Sequence, residues 1–132
     1  MKNPKFWVAV LVGGVVANLI DMVVMGMMLA PMFASIPSMN QDTNVTWYVV
    51  GDFVAVFVFT LLYDRVYSSF SGGPKGGATW GAYAGLLVSF PTWIFMHLMF
   101  VGFPYGLAWT LTFYGILWGV LVGSVVGAMY KK

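Results

Sequence analysis

Four polar side chains lie inside stretches that are otherwise apolar: Asn18, Asp21, Asp52 and His97. An ionised carboxylate in lipid costs about 3 kcal/mol on insertion scales and more in simulations, so such residues usually face a bundle interior. Two carboxylates brought together in a dry site do not both stay ionised; one holds a proton. Three chemistries follow. The pair can relay protons. It can bind a cation, with Asn18 and backbone carbonyls completing an oxygen shell. With His97 it can make a His/Asp metal site. The plainer reading, which these residue types favour, is structural: one aspartate is protonated and bonded to Asn18, a threonine or a freed carbonyl.

His97 also reads plainly as a cap at a membrane interface. Met96 and Met99 flank it, and histidine–methionine ligation of haem exists, but one histidine does not argue for haem. No cofactor is expected. Met22, Met25, Met27, Met28 and Met32 crowd one short segment. Thioethers suit Cu(I), yet these five spread around a helix, and methionine commonly fills irregular gaps. Packing is the preferred reading, and the residues leave a metal undecided.

The elements that must position these groups follow from composition. Of 132 residues 61% are apolar and only 8% charged, with mean hydropathy +0.88. A soluble domain carries about 25% charged residues. A soluble enzyme, a disordered chain and a nucleic-acid binder are therefore excluded as expectations. The chain reads as one integral membrane domain over residues 1–132, an all-α four-helix transmembrane bundle with the lipid bilayer as its first partner. A spanning helix needs about 20 apolar residues, and four such spans are expected at 6–30, 45–67, 76–101 and 105–130. The first is too long for the apolar core of a signal peptide. Residues 31–44 read as a polar loop with Asp42, and 68–75 as a Gly/Ser/Pro turn. Gly102-Phe103-Pro104 reads as a tight turn, with Pro104 suited to the next helix start. The chain has no Cys and no Glu, which removes disulfides, thiolate chemistry and Glu-containing metal motifs.

Charge sets the orientation. Lys2, Lys5, Arg65, Lys75, Lys131 and Lys132 all fall on one side if the spans alternate. The positive-inside rule then puts both termini in the cytoplasm. Depth follows from helix rise. Asp21 lies about nine residues from the opposite end of its span, roughly 13 Å deep, and Asp52 about seven residues, roughly 10 Å. On the first span Gly14, Asn18, Asp21, Met25, Met28 and Met32 share a stripe; on the second, Asp52, Val56, Phe59 and Tyr63 do. If the stripes face each other, the carboxylates approach.

Lipid tails are as apolar as leucine, so close backbone contact must hold the spans together. Gly77, Gly81 and Gly85 recur every fourth residue in the third span; Gly115, Gly119, Gly123 and Gly127 do so in the fourth. These stripes predict tight packing of spans three and four with a right-handed crossing, or contact of one stripe with another subunit. Pro91 predicts a kink by removing one backbone donor. Ser89 and Thr92 are expected to bond backbone carbonyls beside it.

Other motifs carry little chemistry. Gly72-Gly73-Pro74-Lys75-Gly76-Gly77 lacks the Gly-x-x-x-x-Gly-Lys-Ser/Thr pattern of a phosphate loop. Asp64-Arg65 reads as a local ion pair or headgroup contact, and Asn44-Val45-Thr46 matches a glycosylation sequon. No nucleophile–base pair stands out, so no enzyme is expected.

Asn18, Asp52-Phe53, Leu62-Tyr63, the turn Gly72-Gly73-Pro74-Lys75 and the following Ala/Gly-rich span with Trp93 resemble a group of small four-helix bacterial inner-membrane proteins. The resemblance implies topology and a bacterial inner membrane, but no activity. It does not include Asp21 or the methionines. Two functions compete. One is a non-enzymatic accessory or assembly subunit that docks onto a larger membrane complex through glycine-rich helix faces. The other is a small oligomeric transporter, or an ion- or proton-binding protein, using Asp21 and Asp52.

Overall fold

A computed structural model describes residues 3–39 and 44–132. Lys2 and Asp42, named above, lie outside the described residues. Helix α1 (Pro4–Val23) runs on into a π-helical stretch (Val24–Met28) and a short α2 (Ala30–Ala34). Then come α3 (Val45–Val66), a 3-10 turn (Tyr67–Ser69), α4 (Gly73–Met99) and α5 (Tyr105–Met129). No strand occurs among the described residues. Four helical segments, Pro4–Met28, Val45–Ser69, Gly73–Met99 and Tyr105–Met129, are long and apolar enough to cross a membrane.

Local chemistry explains the boundaries. The Asn3 side chain accepts from the Lys5 N–H at 3.0 Å, and Pro4 fills the first turn of α1, where its missing donor costs nothing. The Asn44 side chain accepts from the Thr46 N–H at 3.0 Å. The apparent sequon therefore serves as the cap of α3. Gly72, Gly73 and Gly102 hold positive φ at two turns, a conformation open to glycine without steric cost.

Several expected boundaries are corrected: α1 starts at Pro4 rather than 6, and α4 ends at Met99 rather than 101. The loop expected at 31–44 opens with helix α2, because Pro31 sits in its first turn, where proline is tolerated. The turn expected at 68–75 ends at Gly72, because Pro74 likewise starts α4. The fourth long helix ends at Met129 rather than 130. Helix α4 runs unbroken through Pro91, and Thr92 Oγ1 donates to the Val88 carbonyl at 2.6 Å.

Helices α4 and α5 form the most extensive interface, and α1 packs against both α3 and α5. The backbones of α3 and α4 meet only sparsely. Aromatic side chains bridge the gap: Phe59 of α3 lies 5.7 Å from Trp80 of α4 and 6.3 Å from Trp118 of α5, ring centre to ring centre. Such pairs contribute about 0.5–1.5 kcal/mol each beyond area burial.

The interior divides along the bundle. At the end carrying Lys5, Arg65, Lys75 and Lys132, here the basic end, Phe6, Ala9, Val10, Val56, Phe59, Tyr63, Val122, Val126 and Tyr130 form a buried cluster. At the far end Leu29, Ile36, Phe103, Leu107, Ala108 and Leu111 form a second. No α3 residue belongs to the far cluster.

Candidate functional site

The carboxyl groups of Asp21 and Asp52 meet between the two clusters. The side chain of Asp52 on α3 lies beside that of Asp21 on α1. A hydrogen bond between two carboxyl groups needs a proton on one of them. Tyr114 on α5 donates its phenolic O–H to Asp21 Oδ1. One polar chain, Asp52–Asp21–Tyr114, thus ties three helices together. All three residues are half-buried.

Local structure positions each member. Val56, Phe59 and Tyr63 follow Asp52 along one stripe of α3, and all three are buried, so that face points inward and carries Asp52 with it. On α1, Gly13 and Gly14 allow the approach. A Cβ built on Gly14 would lie 2.2 Å from the Phe53 ring, and one on Gly13 2.9 Å from the Val56 side chain. Side chains there would hold α1 and α3 apart and separate the carboxyls. The π-helical stretch begins three residues after Asp21. Such stretches frequently accompany functional sites.

Tyr114 was missed by the sequence reading, although a signal existed. It lies nine residues past Tyr105, the start of α5. That is about 13 Å from the far end, level with the depth expected for Asp21. A phenol at that depth needs a partner when buried.

The other polar candidates do not join this chain. Asn18 turns back on its own helix, donating Nδ2 to the Gly14 carbonyl at 2.9 Å. It lines a shallow apolar cleft of about 190 Å³ with Val15, Leu19, Val49 and Phe53. His97 Nδ1 is 2.7 Å from the Phe103 carbonyl oxygen, and its ring stands 5.2 Å from that of Tyr105. It braces the α4–α5 turn. Among the described residues no group of three or more His, Cys, Asp or Glu could hold a metal ion. Of the five clustered methionines only Met25 packs against the far cluster, while Met22, Met27, Met28 and Met32 are exposed.

The glycine stripes face each other within the chain. A Cβ built on Gly77, Gly81 or Gly85 would fall 1.9, 1.7 or 2.4 Å from the carbonyl oxygen of Gly123, Gly119 or Gly115. From α5, a Cβ on Gly127 would fall 2.2 Å from the Gly73 carbonyl oxygen. The two backbones touch along this stretch, and one turn on the Ser89 side chain packs against Gly115.

At the basic end Asp64 turns away from its neighbour Arg65, correcting the expected local ion pair. Consecutive helical residues do not face each other. Asp64 instead accepts from the Tyr130 phenol and pairs with Lys132 at 3.1 Å. Burial, and then the bond to Asp64, push the Tyr130 phenol up to about 12.

Comparison with protein-family models, curated proteins and solved structures found no match.

Proposed function

We propose that this multi-pass membrane protein takes up and releases a proton at the Asp21–Asp52 pair, with Tyr114 holding Asp21 in place. The observation that carries the reading is the approach of carboxyl groups from two membrane-spanning helices, one of them bonded to a phenol from a third. Two carboxyl groups sharing one proton form a site with two protonation states. The phenol of Tyr114, donating to Asp21, fixes the position of that carboxyl beside Asp52. Charged groups in spans are by default functional hypotheses, because lipid makes them costly.

We read the protein as non-enzymatic, resident in a bacterial inner membrane with both termini cytoplasmic. The support is the grouping of Lys5, Arg65, Lys75, Lys131 and Lys132 at one end. Four helices make a cramped pathway for one copy, so transport would call for an oligomer. The test is an imposed pH gradient across vesicles containing the purified chain. Wild-type protein is expected to dissipate it, and Asp52→Asn is expected not to. Equal rates for the two, or no effect above empty vesicles, would overturn the reading.

A second reading, an accessory subunit of a larger membrane complex, loses its docking face, because the glycine stripes are consumed inside the chain. It keeps one support: Trp47 and Tyr48 stand exposed at the start of α3. Native mass spectrometry on protein taken gently from its own membranes separates the two, since only an accessory subunit carries partner chains at fixed stoichiometry.

A further inference from the structure

Two buried side-chain donors among the described residues have no hydrogen-bond partner, the Tyr63 hydroxyl and the Trp80 Nε1–H. Tyr63 is fully buried, and a buried hydroxyl without a partner is costly to keep. Its ring is held by Tyr67, Phe70 and Tyr130, with centres 5.4, 6.4 and 6.4 Å away. The hydroxyl is thereby aimed at the first turn of α4. A Cβ built on Gly76 would lie 3.3 Å from it, 3.4 Å from the Ser71 backbone nitrogen and 3.4 Å from the Phe70 Cβ. Glycine at this position leaves a niche bordered by an O–H and a backbone N–H.

The turn supplies further donors. Helix α4 is 27 residues long, and the first N–H groups of a helix have no partner within it. No side chain caps them here, and Pro74 removes one of them. The Gly76 N–H is used on the Gly72 carbonyl at 3.2 Å, which leaves those of Gly73 and Lys75. A second phenol borders the same turn: a Cβ built on Gly72 would lie 3.1 Å from the Tyr67 hydroxyl. Ser71, Lys75 and Arg65 are exposed at this basic end. The one acidic side chain there among the described residues, Asp64, is taken up by Tyr130 and Lys132. Unused donors at a helix N-terminus, with positive charge nearby, suit an anion that offers several oxygens.

We propose that residues 71–76, at the start of α4, bind a phosphate group, one oxygen of which enters the niche on Gly76 and accepts from the Tyr63 hydroxyl. A lipid headgroup and free phosphate present the same oxygens to it. The turn lacks the pattern of a nucleotide-binding phosphate loop, so a single phosphate group is what it fits. The site is separate from the carboxyl pair: Tyr63 lies eleven residues beyond Asp52, about 16 Å along α3.

The test follows thermal unfolding of the purified chain in a neutral detergent as phosphatidylglycerol or inorganic phosphate is added, with chloride at equal ionic strength as the control. A ligand of the folded state raises the midpoint, and wild-type protein is expected to respond to at least one of the two probes. A response to phosphatidylglycerol alone assigns the site to a headgroup, and a response to inorganic phosphate assigns it to the free anion. Tyr63→Phe keeps the ring and loses an unpartnered hydroxyl, so without either probe its midpoint should be unchanged or higher. It should nevertheless bind about tenfold more weakly, as expected for one lost hydrogen bond to a charged group. Gly76→Ala fills the niche and should weaken binding in the same way, which keeps the test alive should Tyr63→Phe fail to fold. No response of the wild type to either probe, or equal binding by wild type and the two variants, would overturn the proposal.

Discussion

The α4–α5 seam and the α1–α3–α5 junction hold helices together by opposite means. Along its glycine stripes the seam is backbone on backbone, carbonyl against Cα. Its specificity is shape, and its attraction is the sum of many close contacts. The junction uses polar atoms, a carboxyl pair and a phenol, beside glycines that let α1 approach. A shape-based seam has one arrangement. A polar junction sharing one proton has two protonation states, and the helix beside it carries a π-helical stretch. On the proposed reading, the protein pairs a fixed half with a half that can respond.

Substitutions should break this contrast in a definite order. Gly81→Leu is the most damaging, because even a Cβ there would fall 1.7 Å from a backbone oxygen that cannot move aside. Overpacking typically costs 1–3 kcal/mol, and at a backbone-to-backbone seam we expect about 3 kcal/mol or more. Thermal unfolding in detergent, followed by circular dichroism, should show either no folded protein or a greatly lowered midpoint. Gly106→Ala is the control, with nothing within 4 Å of the added Cβ; it should be neutral or slightly stabilising.

Gly14→Ala should fall between. Its new Cβ meets the ring of Phe53, which can turn, so about 1–2 kcal/mol is expected. The telling readout is its partner, Gly14→Ala with Phe53→Leu. Recovery of most of the loss would show that the obstacle is the ring and not the backbone.

Tyr114→Phe removes one hydrogen bond within the membrane, a loss of about 0.6 kcal/mol and at most about 2 kcal/mol. Its larger effect should be on the carboxyl pair, since Asp21 loses its phenol partner. Infrared titration of the carboxyl bands should then shift, while the fold stays intact.

The smallest effect belongs to the basic end. Lys132 is half-exposed, so Lys132→Ala should change stability by less than about 1 kcal/mol. Folding pushes the Tyr130 phenol up to about 12, against about 10 in an unfolded chain. Its contribution is complete below pH 10 and fades as pH rises from 10 to 12. Tyr130→Phe should flatten stability over that window.

Much of this was legible in the residues. Hydropathy marked four long apolar helices, because spans must satisfy their backbone internally and leave a long apolar signature. Helical periodicity placed Asp21 and Asp52 on stripes that could meet, and the structure brings the two carboxyls together. Other features were not legible for physical reasons. The π-helical stretch is a shift of backbone hydrogen bonding at Val24–Met28, which composition does not record. The glycine stripes were equally suited to a partner chain, since a small-residue stripe carries no address; the fold shows them facing each other. The far separation in sequence of Asp21 and Tyr114 hid their bond, although a depth estimate for α5 would have suggested it. His97 looked available as a ligand because sequence does not show that the Phe103 carbonyl engages its Nδ1.

The central claim is that one exchangeable proton is shared by Asp21 and Asp52. Infrared spectroscopy of the protein in lipid at neutral pH, in H₂O and then D₂O, tests it directly. The account predicts one protonated-carboxyl band per chain that shifts in D₂O and disappears in Asp52→Asn. A spectrum with no such band, or one that Asp52→Asn leaves unchanged, would contradict it.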